Sequence, residues 1–449
     1  MKKKRKFNPA IQIVLGFLGV ILIGTFLLSL PVSNNSGQWF NVVDSFFTST
    51  SAVCVTGLTV VDVAMQFTLF GQIVLLLLIQ IGGLGFVTLT TLVFLILGKK
   101  ITFESRLTIK ESLNQEGVQG VVKFVKKTII FVFVAEFIGF LLLLPSFVNL
   151  YGWGQGIFKS LFISISAFCN AGFDNLGSGL VAFEGLSAFA QNVLVLLPII
   201  LLIVVGGIGF LVLFDLPNLF KQKRLAFHTK VVLCVTSILI FGAALLFAIF
   251  EWNNINTIGD MSFGNKILNC IFLSVSPRTA GFCTINISNL NPASLVLTQI
   301  LMFIGGSPAS TAGGLKTTTI FVLIIVLFKI ANQKGDIVFR SKKISQKSIN
   351  KAYKLLFLMV GLVLISTITM CAIEGINFDV ALFESISAIA TVGLSLSLTP
   401  ILGTISKIVL CILMFAGRVG ALTITLAISG KDGSIVQEIE YPDSKIVVG

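Results

Sequence analysis

Eight long apolar runs alternate with polar stretches along the chain, at residues 11–30, 71–97, 129–148, 191–214, 231–250, 295–328, 355–373 and 404–428. A helix needs roughly 20 apolar residues to cross the hydrocarbon core, and each run supplies them. The runs fall into four pairs, and the segment inside each pair contains a shorter apolar stretch of its own. The stretch 157–168, for example, makes about three helical turns, enough to enter a bilayer halfway and return. The pattern predicts an all-α integral membrane protein with eight transmembrane helices and four re-entrant segments.

The re-entrant segments repeat one another. Each carries Phe-x-Ser-x-Ser followed by Ala or Pro, then three or four intervening residues, then Gly followed by Leu or Phe. The copies run from Phe47 to Leu58, Phe162 to Phe173, Phe272 to Phe282 and Phe383 to Leu394, with Gly57, Gly172, Gly281 and Gly393 spaced 115, 109 and 112 residues apart. Such a period marks a repeat architecture. A second echo lies in the later run of each pair, at Gly82-Gly-Leu-Gly85, Gly206-Gly-Ile-Gly209, Gly305-Gly306 and Gly417-Arg-Val-Gly420. Small residues there let helices approach closely, and their recurrence points to a role around one shared axis. The units predicted are repeat 1 (1–97), a loop (98–128), repeat 2 (129–214), a loop (215–230), repeat 3 (231–328), a loop (329–354), repeat 4 (355–428) and a tail (429–449).

Composition agrees: of 449 residues, 55% are hydrophobic and 11% charged, far too much apolar surface for a water-soluble fold. The basic cluster Met1 to Lys6 precedes the first run without a small-residue cleavage site, so that run reads as a retained helix. The formal charge of +13 does not indicate nucleic acid, because the basic residues sit in short stretches between apolar runs. Placing 1–10, 98–128, 215–230, 315–354 and 430–449 on one side gathers 27 of the 32 Lys and Arg there, and the positive-inside rule makes that side, with both termini, cytoplasmic. The opposite loops carry Asp62, Asp174, Glu184, Glu251, Asp260, Glu374 and Asp379, which either draw cations to an entrance or are ordinary solvated charges. Seven scattered cysteines and the single His228 form no metal or disulfide pattern.

Irregular backbone at membrane depth survives only where protein buries it or water reaches it, so four such loops imply a shared polar axis. A half-helix ending at a glycine aims its negative end inward, and the following carbonyls can replace a cation's water shell. Glycine permits φ > 0 and puts no side chain in the lumen. The candidate segments are Cys54-Val55-Thr56-Gly57, Cys169-Asn170-Ala171-Gly172, Arg278-Thr279-Ala280-Gly281 and Ala390-Thr391-Val392-Gly393. None contains a carboxylate, which favours carbonyl and hydroxyl coordination of a weakly hydrated monovalent cation over calcium or magnesium. Arg278 reads as a residue that shapes its loop, since a cation beside a bound cation is repelled.

These residues resemble the Trk/Ktr/HKT superfamily of potassium transporters, and most closely the membrane subunits of bacterial Ktr systems. The resemblance covers nearly the whole chain. It is carried by Val55-Thr-Gly-Leu58, Asn170-Ala-Gly-Phe173, Pro277-Arg-Thr-Ala-Gly-Phe282, Thr391-Val-Gly-Leu394, Ile79-Gln-Ile-Gly-Gly-Leu-Gly85 and the closing Tyr441-Pro442 to Gly449. It implies four M1-pore helix-M2 units arranged pseudo-fourfold around one pore, potassium as the transported ion selected by the four glycines, and a homodimer with Gly449 at its interface. It also implies a cytosolic ring of nucleotide-binding regulatory subunits. The basic stretch Lys329 to Lys354 suits such docking, and equally suits contact with anionic membrane lipid.

Two features are candidate gates. In the third M2 the arms 295–304 and 317–327 are separated by Gly305-Gly306-Ser307-Pro308-Ala309-Ser310-Thr311-Ala312-Gly313-Gly314, followed by Lys316. Ten small or polar residues with a proline will not stay helical; they read as an intramembrane loop that obstructs the pore, or as a broken helix that merely packs. Arg418 lies deep in the last run, where an arginine costs about 2.5–3.5 kcal/mol on insertion scales. It faces either a water-filled pore or a partner such as Asp215 or a loop carbonyl. Glu136 and Glu384 lie in or near membrane segments and are given no role beyond hydrogen bonding.

No GxxxxGK[ST] loop and no dinucleotide fingerprint occurs, so no organic cofactor is expected. An inward potassium ion gains about 2.3 kcal/mol per 100 mV, which suffices for uptake; sodium coupling stays open. The rivals are a secondary transporter of another solute, which would show inverted repeats and a midplane polar site, and an intramembrane enzyme, which lacks an acid pair, Ser-His pair or metal cluster in these spans.

Overall fold

The computed structural model describes residues 9–85, 88, 120–177, 185–330, 338–339 and 342–420. Gly449, the tail from 429, Glu184, residues 89–119 and most of 329–341 lie outside the described residues. The described helices are α1 (Pro9–Ser29), α2 (Val42–Cys54), α3 (Val63–Gln66), α4 (Leu69–Leu84), α5 (Val121–Cys169), α6 (Val193–Ile208), α7 (Phe210–Gln222), α8 (Phe227–Glu251), α9 (Phe263–Val275), α10 (Pro292–Phe303), α11 (Thr317–Ile330), α12 (Gln346–Glu374), α13 (Phe378–Ile389) and α14 (Thr404–Val419). The one described sheet pairs Val338–Phe339 with Lys342–Lys343.

Four described helices are long and apolar enough to cross a membrane: Ile11–Ser29, Val121–Cys169, Phe227–Glu251 and Gln346–Glu374. Each contains the first run of a predicted pair. The third M2 is broken as its ten-residue interruption predicts, but the other second runs differ from expectation, because none of those three is one straight helix. Glycine cuts them: α4 stops before Gly85 (φ 80°), α6 before Gly209 (φ 98°) and α14 before Gly420 (φ 92°). At Gly209 the chain turns by 97° into α7. The last glycine of each GGxG or GRVG echo is therefore a helix breaker, since L-residues avoid that φ region.

Helix α5 holds the expected 129–148 span and the re-entrant helix after it. The two meet at a kink where Gly152 (φ 76°, ψ 171°) leaves the helical region.

Caps fix where the other short helices begin. The Asn41 side chain accepts from Val43 N at 2.8 Å and the Asn192 side chain from Leu194 N at 3.0 Å, each satisfying an orphan N–H of a first turn.

Packing closes the chain on itself. Helices α1 and α4 pack on α2, α6 on α5, α8 and α10 on α9, and α12 and α14 on α13. Between the units, α4 packs on α5, α6 on α9, α10 on α13, and α14 returns to α2. An ion pair clamps that last junction, with Lys407 Nζ 2.6 Å from Asp44 Oδ1 and side chains only 13% and 20% exposed. Lys407→Met should lower stability by roughly 1 kcal/mol, read as earlier thermal unfolding in detergent; an unchanged melting curve would mean the junction holds without the pair.

The outward faces of the long helices are apolar: Trp153, Phe241 and Phe357 are 72%, 69% and 72% exposed. A surface of that kind belongs against hydrocarbon.

Candidate functional site

The Phe-x-Ser-x-Ser motif does the same work in all four copies. Its phenylalanines, Phe47, Phe162, Phe272 and Phe383, are fully buried. The first serine ties each short helix to the long helix before it: Ser49 Oγ donates to Ile21 O (2.8 Å), Ser164 Oγ to Glu136 O (2.6 Å) and Ser274 Oγ to Ile240 O (2.7 Å), while Ser385 Oγ pairs with Ser366 Oγ (3.0 Å). The second serine ties the helix to the glycine segment after it. Ser51 Oγ accepts from Gly57 N and Ser387 Oγ from Gly393 N, both at 3.1 Å, whereas Ser166 Oγ donates to Phe173 O at 2.6 Å and Ser276 Oγ to Phe282 O. The sequence marked these serines only as a pattern; their geometry gives the pattern a cause.

The glycine segments share one backbone. Two residues before each glycine, Val55, Asn170, Thr279 and Thr391 adopt left-handed φ values of 58°, 58°, 74° and 51°. Gly57, Gly172, Gly281 and Gly393 follow at φ 90°, 71°, 76° and 94°. Left-handed non-glycine residues cost on the order of 1 kcal/mol each, and four at matching positions require support from their surroundings. That support is the serine bonding together with backbone contacts such as Thr56 N to Ser51 O and Ala171 N to Ser166 O, both 2.8 Å.

The four segments also meet. A Cβ placed on Gly57 would lie 2.5 Å from Ala171 O, and one on Gly172 would lie 2.8 Å from Ala280 O. A Cβ on Gly281 would collide with Val392 O, and one on Gly393 with Thr56 O. The residue before each glycine thus presents its carbonyl to the neighbouring glycine, in the closed order 57, 172, 281, 393. All sixteen predicted segment residues from Cys54, Cys169, Arg278 and Ala390 to the glycines lie on these four stretches, and of the sixteen Arg278 alone carries a formal charge.

Cys54 and Cys169 end their helices and are buried. Behind Cys169, Gln80 Nε2 donates to Glu136 Oε2 at 3.2 Å, and the Cys169 thiol faces Glu136 Oε1 at 3.7 Å. Glu384 accepts from Ser395 Oγ and, at 3.1 Å, from Thr399 Oγ1, so both intramembrane glutamates serve as hydrogen-bond acceptors.

The glycine echoes seat the helices against these segments. A side chain on Gly82, Gly206 or Gly417 would strike the carbonyl of Val53, Phe168 or Ile389, in each case four residues before the segment glycine.

The ten-residue interruption of the third M2 lies between α10 and α11 and is held at both ends. Gly305 N donates to Leu315 O (3.0 Å) and Thr317 N to Gly306 O (3.1 Å). Ser307 N donates to Gly207 O (3.0 Å), Thr311 N to Gly206 O (3.3 Å), and Phe210 N to Ala309 O (2.8 Å), so the loop rests on the break between α6 and α7. Thr311 Oγ1 also lies 3.2 Å from Phe168 O. A Cβ on Gly313 would collide with the Thr391 hydroxyl and lie 3.0 Å from Ala390 O of the fourth segment. Lys316 Nζ curls back to Ala312 O and Gly313 O, at 2.5 and 3.2 Å.

Arg418 finds carbonyls rather than a carboxylate. Its Nη1 donates to Thr311 O in the loop, and its Nη2 to Gly82 O and, at 3.3 Å, Gly83 O at the end of α4. Asp215, the carboxylate weighed as its partner, instead accepts from Asn218 Nδ2 and Ala226 N at 3.0 and 2.9 Å.

Several of the loop acids are engaged in local hydrogen bonds. Asp62 Oδ1 accepts from Ala64 N and Met65 N, Glu251 from Asn291 N and Thr257 Oγ1, and Glu374 from Gly403 N.

Residues 5–436 match the family described as TrkH, cation transport protein. The chain belongs to the TrkH family of cation transport proteins. It is 38% identical to the potassium/sodium uptake protein NtpJ of Enterococcus hirae, covering 100% of this chain and 99% of that one. It is 39% identical to the Ktr system potassium uptake protein B of Bacillus subtilis, over 99% of this chain and 97% of its relative. Its fold is similar to that of the potassium transporter TrkH from Vibrio parahaemolyticus, with a TM-score of 0.71 over 92% of this chain and 84% of that one at 18% identity. The resemblance seen in the glycine segments thus extends over the chain, and its relatives are membrane transporters rather than enzymes.

Proposed function

We propose that this chain carries potassium across the cell membrane through a pore that its four repeats surround pseudo-fourfold, with the four glycine segments as its selectivity filter. The observation that carries the reading is the closed ring of glycines, each receiving the preceding-residue carbonyl of its neighbour. Alternating left-handed and right-handed backbone turns successive carbonyls toward one side, and carbonyls without carboxylates suit a monovalent ion that sheds its water readily. The names of the relatives, potassium uptake proteins of Ktr systems and a potassium/sodium uptake protein, support potassium as the ion and leave sodium as a coupled or competing one.

The loop from Gly305 to Gly314 is the gate in this account. It sits against the second and fourth segments and is latched by Arg418, whose charge adds an electrostatic barrier to cations. Both termini and the basic loops face the cytoplasm, where a Ktr-type partner ring docks; the chain works as a homodimer through its C-terminal end at Gly449.

Expression in a bacterium lacking its own potassium uptake tests the reading. Growth at low external potassium should return when the chain is supplied with a Ktr regulatory subunit, and Gly57→Ser should remove that growth while the protein still reaches the membrane. Equal growth with both chains would reject the filter.

A further inference from the structure

The second and third glycine segments are built alike, yet the space behind them is filled differently. Ser164 bonds the carbonyl of Glu136, and Ser274 in the same motif position bonds the carbonyl of Ile240, so Ile240 stands where Glu136 does. Likewise Gly82 and Gly206 occupy matching places in the glycine echo, so Val204 stands where Gln80 does. Behind the second segment, Gln80 and Glu136 surround the Cys169 thiol with polar atoms. Behind the third, the corresponding residues Ile240 and Val204 are hydrocarbon, and Val204 lines a space together with Arg278.

Arg278 is 7% exposed, and its Nε is buried without a hydrogen-bond partner among the described residues. Arg278 helps to line a space of about 10 Å³, together with Ile203, Val204, Gly207 and Val275. That volume is about one water molecule and too small for a larger anion. Gly207 O already accepts from Ser307 N at 3.0 Å, and Val275 O from Arg278 N at 3.1 Å; each carbonyl keeps a second lone pair. A guanidinium at membrane depth is costly unless oxygen atoms receive its N–H groups.

We propose that this space is a binding site for a single water molecule, which accepts from Arg278 and donates to the backbone lining the space, and so positions the third glycine segment. Gly207 also receives the gate loop through Ser307, so the water links the third segment to the helix end on which that loop rests. The proposal builds on the filter reading above, because its readout is ion selectivity.

The test compares Val204→Leu with Val204→Gln. The two side chains are close in bulk, so both displace the water, but only glutamine returns an oxygen to Arg278. In proteoliposomes, Val204→Leu should lower the potassium-to-sodium flux ratio by about tenfold, and Val204→Gln should recover it to within about twofold of the parent. A density map that shows ordered water should place one peak within hydrogen-bond distance of Arg278 in the parent chain and none in either variant. Equal ratios in both variants, whether both normal or both lowered, or no peak in the parent, would overturn the proposal. Gly281→Ser in the same assay separates the two ideas: an unchanged ratio there would count against the filter itself and not against the water.

Discussion

Gly281→Ser is expected to cost the chain most of its preference for potassium over sodium, with a flux ratio at least about tenfold lower. The reason is local and steric. Gly281 stands at φ 76°, where a side chain adds strain of about 1–3 kcal/mol. Its new Cβ would also overlap Val392 O, and the Cα atoms of Gly172 and Gly393 both lie 3.2 Å from that Cβ position. Three of the four segments therefore have to shift together. Carbonyl cages discriminate between ions by the number and placement of their oxygens, so a shift of this kind degrades selectivity before it degrades folding. The measurement is the paired potassium and sodium flux of a variant that stays monodisperse in detergent; a variant with parental ratios would remove Gly281 from the filter.

Arg418→Gln is expected to raise flux and to leave the ion preference alone. The guanidinium joins the loop at Thr311 O to α4 at Gly82 O and Gly83 O, a span that only its planar fork reaches at both ends. Hydrogen bonds from a charged donor contribute about 1.5–3 kcal/mol each, so losing the one to the loop shifts its closed-to-open balance by roughly tenfold or more. Removing the positive charge lowers the barrier to cations as well. Single-substitution flux in proteoliposomes decides this. A drop in flux with parental selectivity would make Arg418 a packing residue and leave the loop without its latch.

Much of the architecture was legible because membrane spans and a four-times-repeated motif are strong signals. The apolar runs place all four long helices, and Phe-x-Ser-x-Ser placed the short ones, since burying phenylalanine and bonding serine to a neighbouring helix both need fixed spacing. Breaks were harder to read. Gly85, Gly209 and Gly420 sit in runs as apolar as any true span, and glycine in a membrane helix reads as close packing until φ is known; only the ten small or polar residues of the third M2, Pro308 among them, announced an interruption. The kink at Gly152, by contrast, falls between the expected span 129–148 and the re-entrant stretch from 157, where 149–156 carries three glycines.

The four glycine segments stand out in the sequence by recurrence, but the side chains packed behind them do not. Nothing in the sequence brings Arg418 to Thr311, 107 residues away, or Gln80 to Glu136, 56 residues away; those pairings come from the order in which the four units pack. Of the two kinds of partner weighed for Arg418, a carboxylate such as Asp215 or a loop carbonyl, backbone carbonyls at two helix breaks are the ones it meets. Broken helices leave carbonyls without intrahelical donors, and a sequence does not show those acceptors until the breaks are placed.

The central claim, that one chain encloses a potassium-selective pore closed by its own loop, is tested most directly by ion flux through the purified chain lacking residues 309–313, without any partner. Under a potassium gradient in proteoliposomes, the shortened chain should pass potassium several-fold faster than the parent, by roughly the factor expected for losing a latched loop, and sodium should compete poorly. Flux equal to the parent's, or equal rates for sodium and potassium, would contradict the account.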